Sequence, residues 1–123
     1  MSSKASQPAA LADETGKVVV ERCELADGMW SRMRGLLGRK SLDQGAGLLI
    51  VPTNSIHTFF MAFPIDAVFL DKTLRVRSIV PEVKPWRMSL RRGSHSVLEL
   101  AAGEAERAGI KEGSRLEWRY QEA

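Results

Sequence analysis

The sequence predicts an α+β fold: a single sheet-dominated domain, with a curved antiparallel or mixed sheet or a small barrel, and two short helices. Segments of β-branched or alternating residues recur along the 123 residues, whereas apolar residues at helical spacing occur in two short stretches only. A chain of this length with 44% hydrophobic residues can bury about two-thirds of its unfolded surface, so we expect one domain with its own core.

The first part of the chain predicts a tail, a strand and a helix. Residues 1–16 are mostly small and polar, which predicts a disordered tail ahead of a domain over residues 17–121. Residues 17–25 are rich in β-branched side chains and predict a strand. Asp27 is a suitable N-cap for a helix with an apolar face, and Gly38 can end that helix.

The remainder predicts further extended segments and a second helix. Short apolar or alternating runs predict extended structure over residues 48–51, 56–61, 65–70, 74–80, 97–101 and 115–120. Residues 81–94 mix Pro85, Trp86 and Gly93 with basic side chains and predict a loop. Small residues between Gly103 and Gly109 predict one or two helical turns.

Three ionisable residues, His57, Asp66 and Glu99, lie in apolar segments. Burial of an unsatisfied polar group costs roughly 2–7 kcal/mol, so we expect these side chains to be paired or to line a cavity. A histidine beside a carboxylate can act as a general base or a ligand, because its pKa lies near neutrality. The alternative is structural: a carboxylate can accept hydrogen bonds from backbone N–H groups where strands bend.

These residues lead to a first hypothesis, a small binding or accessory domain with a cleft near His57, Asp66 and the Trp86 loop. Met61 shares a strand face with His57 and is included among the candidate ligand-binding residues. The alternative is an enzyme that uses His57 as acid or base, with Asp66 or Glu99 as its orienting carboxylate. The partner that we expect is a small molecule or a protein, and we expect the chain itself to be a monomer.

Metal and cofactor chemistry have little support in the sequence. The two histidines and the single cysteine lack the spacing of metal ligands, and a zinc site would need His57, Asp66 and Glu99 together. The chain contains neither a P-loop nor a GxGxxG motif, so no nucleotide cofactor is expected.

The basic residues give a third alternative, weak binding of nucleic acid. The net charge is +3, and basic side chains gather at Arg32, Arg34, Arg39 and Lys40 and again at Arg87, Arg91 and Arg92. Such clusters are usually solvated surface, and no aromatic residues interleave with them as in a base-stacking groove. The sequence therefore disfavours nucleic acid as the partner.

Cysteine content and hydropathy bear on the compartment. The single cysteine, Cys23, fits a reducing environment. The apolar runs are shorter than the ~20 residues needed to span a bilayer, and residues 1–15 do not resemble a signal peptide. We expect a cytoplasmic protein without membrane segments.

Three motifs stand in a fixed order along the chain, over residues 34–39, 57–70 and 97–103, and Gly109-Ile110 and Gly113 follow them. In this order they resemble the DUF192 family of uncharacterised small bacterial and archaeal proteins, over roughly residues 18–119. Ala62 stands where the family motif usually has a basic residue, so an anion-binding role there is not implied. The resemblance implies an α+β, sheet-dominated fold and implies no reaction.

Overall fold

The computed structural model describes residues 9–28, 39–59 and 61–120, and all structural statements below refer to these residues. They contain nine strands and one short helix: β1 Ala9–Ala12, β2 Val18–Ala26, β3 Ala46–Ile50, β4 Ser55–His57, β5 Ile65–Leu70, β6 Val76–Val83, β7 Met88–Leu90, β8 Ser96–Ala101, α1 Glu104–Ala108 and β9 Glu117–Arg119. No helix in this part of the chain is long and apolar enough to cross a membrane.

Seven strands form one mixed sheet in the order β6-β5-β8-β3-β2-β1-β9. The β2–β3 pair is parallel, and the other pairs of this sheet are antiparallel. The edges of the sheet meet at one antiparallel bridge, between Arg75 and Arg115, but the sheet does not close. The mixed sheet expected from the sequence is confirmed, and the closed barrel is wrong for the described residues.

The core lies on both faces of this sheet. One cluster contains Leu49, Val68 and Leu98, together with Ala105 and Ala108 of α1. The other cluster, on the opposite face, combines alternate residues of the strands with residues from the connections and the ribbon: Ala26, Leu42, Leu48, Ile50, Ile56, Met61, Ile65, Ala67, Phe69, Val83 and Val97. Strand β5 is covered on both faces and is buried at all six residues, which is why its sequence, apolar except for Asp66, predicted it residue for residue.

A separate two-stranded ribbon, β4 with β7, carries the region around His57. Its register pairs Ser55 with Leu90 and His57 with Met88. Ile56, between these two pairs, is 6% exposed and belongs to the second core cluster. Because side chains alternate along a strand, anchoring Ile56 in the core turns His57 and its partner Met88 outward.

The structure corrects several expectations. Residues 9–12, placed in a disordered tail, form β1, because its four apolar residues pair with β2 on one side and with β9 on the other. Residues 81–94, expected as a loop, include β7 and the end of β6. The extended segment over residues 56–61 is a strand only as far as His57. Of the two expected helices, α1 is present, whereas residues 29–38 of the first lie outside the described residues.

Candidate functional site

Aromatic and apolar side chains are gathered on the outer face of the ribbon. We call His57, Phe59, Trp86, Met88 and Leu90 the ribbon surface. The ring centroids of His57 and Phe59 lie 5.1 Å apart, and those of Phe59 and Trp86 lie 5.8 Å apart in a stacked arrangement. Trp86, Met88 and Leu90 are 55%, 72% and 51% exposed, and Met88 and Leu90 share one face of β7 as alternate residues. Contiguous exposed apolar groups of this kind typically mark interaction sites.

The ribbon surface is held in place by Thr58, which is fully buried. Its hydroxyl donates to the carbonyl of Lys84 at 2.6 Å and accepts from the N–H of Arg87 at 2.8 Å. Its carbonyl accepts from the N–H of Trp86 at 2.9 Å. Trp86 has a φ of 67°, a backbone conformation that bulky residues rarely adopt. The hydrogen bonds to Thr58 therefore fix an unfavourable turn that presents the Trp86 ring.

Thr58 was not singled out from the sequence, although a polar residue inside an apolar motif could have indicated a buried hydrogen-bonding role.

Replacing Thr58 with valine keeps the shape of the side chain but leaves the N–H of Arg87 and the carbonyl of Lys84 without their partner. We expect the free energy of unfolding to fall by about 1–3 kcal/mol in urea titrations, and less for Thr58→Ser, which keeps the hydroxyl. A valine variant as stable as the wild type would contradict this role.

Asp66 joins two distant backbone segments. It is 1% exposed, and its carboxylate accepts hydrogen bonds from the N–H groups of Glu82 and Ala105, each at 2.9 Å. The β5–β6 register shifts between Ile65 and Ala67, and Glu82 has a φ of 53°. Asp66 thus satisfies an N–H that the irregular ladder leaves free, and it also ties β6 to the start of α1.

Asp66 also lines a cavity of about 350 Å³ between β6 and α1. Apolar groups such as Ile79 and Ile110 form much of the lining, together with the charged residues Glu106 and Lys111. Neither His57 nor Trp86 is among the described residues that line it. The cavity and the ribbon surface are therefore separate features, and a shared cleft does not form.

Glu99 is the most unusual ionisable group of the three. It is 3% exposed, and its Oε1 atom makes no hydrogen bond with any residue that the structure describes. Burial raises the pKa of this carboxyl to about 7, with a smaller opposing effect from the positive charge of Arg39. Arg39 itself is paired with the carboxylate of Glu24, with an N–O distance of 3.1 Å.

The three ionisable candidates do not converge. Glu99 is paired with Ala67 across the sheet, so their side chains share a face. Asp66, the residue before Ala67, points to the opposite face. His57 is exposed on the ribbon and contacts the Phe59 ring, and no described carboxylate accepts a hydrogen bond from it. The acid–base arrangement of His57 with Asp66 or Glu99 is therefore not assembled.

The other candidates are placed as follows. Met61 is 7% exposed and fills the second core cluster, so it offers no ligand-binding surface. Among the described residues, no group of three His, Cys, Asp or Glu side chains is placed to hold a metal ion. Of the first basic cluster, Arg32 and Arg34 lie outside the described residues.

The second basic cluster borders the ribbon surface. Arg87, Arg91 and Arg92 are exposed, and none of them forms an ion pair with a described carboxylate. The guanidinium of Arg91 donates to the carbonyl of Leu90 at 2.9 Å and lies 5.7 Å from the ring centroid of the buried Phe69, so it packs toward the inner side of the ribbon. Arg87 stands between Trp86 and Met88 in the chain, so it adds a positive charge next to the apolar groups of the ribbon surface.

Fold and site together define a small mixed-sheet domain with an exposed apolar ribbon and several buried carboxylates. The chain belongs to the DUF192 family, described as "Uncharacterized ACR", whose model matches residues 10–118. The resemblance seen in the three motifs is therefore confirmed.

Two archaeal relatives are named only as UPF0127 proteins. The chain is 30% identical over 113 residues to a UPF0127 protein of Thermococcus sibiricus, covering 87% of this chain and 72% of that one. It is 31% identical over 107 residues to a UPF0127 protein of Pyrococcus furiosus, covering 84% of this chain and 91% of that one.

Two crystal structures have the same fold. A protein of unknown function from Novosphingobium aromaticivorans is 28% identical, with a TM-score of 0.77 over 90% of this chain and 84% of that one. A protein from Sinorhizobium meliloti, named only as a proposed transcription regulator, is 26% identical, with a TM-score of 0.79 over 91% of this chain and 92% of that one.

Proposed function

We propose that the protein is a binding domain whose ribbon surface docks onto an acidic segment of another protein. The observation that carries this proposal is the exposed Trp86 ring, which is stacked on Phe59 and stands two residues before the exposed Met88. An apolar group of this size is costly to leave in water, and here it is held outward by the hydrogen bonds to Thr58. Such rigid presentation lowers the entropy lost on binding.

The composition of the surface favours a protein partner. Tryptophan, methionine and arginine are enriched in protein interfaces, and tryptophan and arginine dominate their binding energy. Met88 and Leu90 have no ring on which a base could stack, so a nucleic acid would leave this part of the surface unused. Methionine also adapts its shape to varied apolar partners.

The charge next to the apolar groups favours an acidic segment. Arg87 and Arg91 adjoin the exposed apolar residues along the chain, and neither has an ion-pair partner among the described carboxylates. A segment with a large apolar side chain next to aspartate or glutamate would bury its anchor against Trp86 and place its charges beside these guanidinium groups.

Peptide selection from a random display library on the immobilised protein tests this proposal. We expect enriched peptides to combine acidic residues with Trp, Phe or Leu. In anisotropy titrations of one such peptide, the double variant Trp86→Ala/Met88→Ala should bind at least about 30-fold more weakly, as loss of about 2 kcal/mol implies. The control Tyr120→Ala removes a 75% exposed aromatic side chain outside the ribbon and should leave the affinity within about 2-fold.

Two results would overturn the proposal. One is enrichment of peptides that bind the double variant as tightly as the wild type. The other is tight binding of a labelled oligothymidylate that depends on Trp86 and Arg87 and weakens steeply with salt. That second result would replace the protein partner with a single-stranded nucleic acid, which the name of the S. meliloti relative makes worth measuring.

A further inference from the structure

A second cavity, of about 310 Å³, lies at the end of the sheet where the parallel strands β2 and β3 finish. Asp27 follows β2, Val51 follows β3, and Ser96 begins β8 at the same end. No sequence motif had pointed to this place.

The interior of this cavity is apolar. Four aliphatic side chains line it, those of Leu25, Leu49, Val51 and Leu74, and the half-buried indole of Trp118 completes the apolar lining. A volume of this size is at the lower end of the range for small-molecule sites, about 300–1,000 Å³. The lining therefore suits the apolar body of a small organic molecule.

Ser96 supplies an unused polar group. It is 1% exposed, and its Oγ atom makes no hydrogen bond with any described residue. Ser96 is paired with Leu70 and lies on the sheet face that carries Leu98, the face toward this cavity. A buried hydroxyl without a partner is unfavourable, and an oxygen atom of a ligand would supply the missing hydrogen bond.

One lysine and one histidine line the cavity beside this hydroxyl. Lys72 is exposed in the turn after β5, and His95 is half-buried before β8. The backbone of His95 is fixed because its N–H donates to the carbonyl of Leu70 at 2.8 Å and its carbonyl accepts from Thr53 at 2.9 Å. Asp27 also lines the cavity, and its negative charge balances the positive charge of Lys72, so a monoanion fits better than a dianion such as phosphate.

We infer that this cavity binds a small monocarboxylate with an apolar body. The carboxylate is held by the Lys72 ammonium and the Ser96 hydroxyl, with His95 beside them, and the apolar body lies against Trp118 and the aliphatic lining. This site is independent of the ribbon surface, so its failure would leave the proposed function untouched.

Titrations of the full ¹⁵N-labelled chain test the inference, with hexanoate and phenylacetate as probes. Both carboxylates should shift the Trp118 indole N–H and the Ser96 amide saturably, with a dissociation constant of about 1 mM or lower. The indole N–H of Trp86 should stay in place and serves as an internal control. Hexanol and inorganic phosphate should each bind at least about 5-fold more weakly, because each offers only one part of the expected ligand.

Variants of the cavity residues distinguish binding in the cavity from non-specific binding. Ser96→Ala removes the unpartnered hydroxyl without an evident cost to folding, and Lys72→Gln removes the cation. Each should weaken hexanoate binding at least about 5-fold, whereas Lys84→Gln, an exposed lysine outside the cavity, should not change it. Saturation by hexanol as strong as by hexanoate, unchanged binding in both cavity variants, or no saturable shift at Trp118 and Ser96 would each overturn the inference.

Discussion

Replacing Asp66 with alanine is expected to lower the free energy of unfolding by about 3–5 kcal/mol. The carboxylate is 1% exposed and accepts two backbone hydrogen bonds, from Glu82 and Ala105, each at 2.9 Å. Without it, the buried N–H of Ala105 and the part-buried N–H of Glu82 lose a charged acceptor, and a buried unsatisfied donor costs about 1–3 kcal/mol. Domains of this size are stable by only about 5–15 kcal/mol, so the variant should unfold at much lower urea concentration.

Two further variants show whether the loss comes from these hydrogen bonds. Asp66→Asn keeps one carbonyl acceptor, so it should lose about half as much stability as Asp66→Ala. Asp43→Ala changes an exposed aspartate and should stay within about 0.5 kcal/mol of the wild type. In hydrogen-exchange experiments, the amides of Glu82 and Ala105 should lose protection first in the alanine variant. Unchanged protection there, or an alanine variant as stable as the asparagine variant, would contradict this role.

The sequence predicted the kind of role that Asp66 plays, but it did not predict which groups Asp66 contacts. The carboxylate of an aspartate among apolar residues needs hydrogen-bond donors or a polar cavity. Hydrogen bonds from backbone N–H groups were one of the two roles that we considered for it, and a place in a functional cleft was the other. Its partners lie 16 and 39 residues further along the chain, where a register shift and the start of α1 release one N–H each. Local patterns carry no information about which distant amides become free.

For His57, the sequence predicted the wrong environment. Its apolar neighbours predicted burial, yet it is exposed, because Ile56 alone anchors β4 and the strand pairs only with β7 in a ribbon with one open face. β7 itself was missed, since Pro85, Trp86 and the neighbouring basic residues are typical of a loop. When a strand has a single short partner, hydrophobic content cannot show which of its faces will be covered.

Glu99 is expected to make the protein less stable as the pH rises toward neutrality. Burial raises the pKa of its carboxyl from 4.5 to about 7 in the folded chain, whereas the unfolded chain keeps the ordinary value. Between these two values the folded protein holds a proton that the unfolded protein has released. The free energy of unfolding therefore falls as the pH rises through this window, and the total loss is about 3 kcal/mol once the pH exceeds both values.

The variant Glu99→Gln removes this titration while keeping the size of the side chain. In urea titrations at a series of pH values, it should match the wild type near pH 5 within about 1 kcal/mol and exceed it near pH 8 by up to about 3 kcal/mol. Glu106→Gln, a change at an exposed glutamate, should keep the slope of the wild type. If the slope of the wild type survives in Glu99→Gln, or if the wild type shows no slope between pH 5 and pH 8, the raised pKa of Glu99 is contradicted.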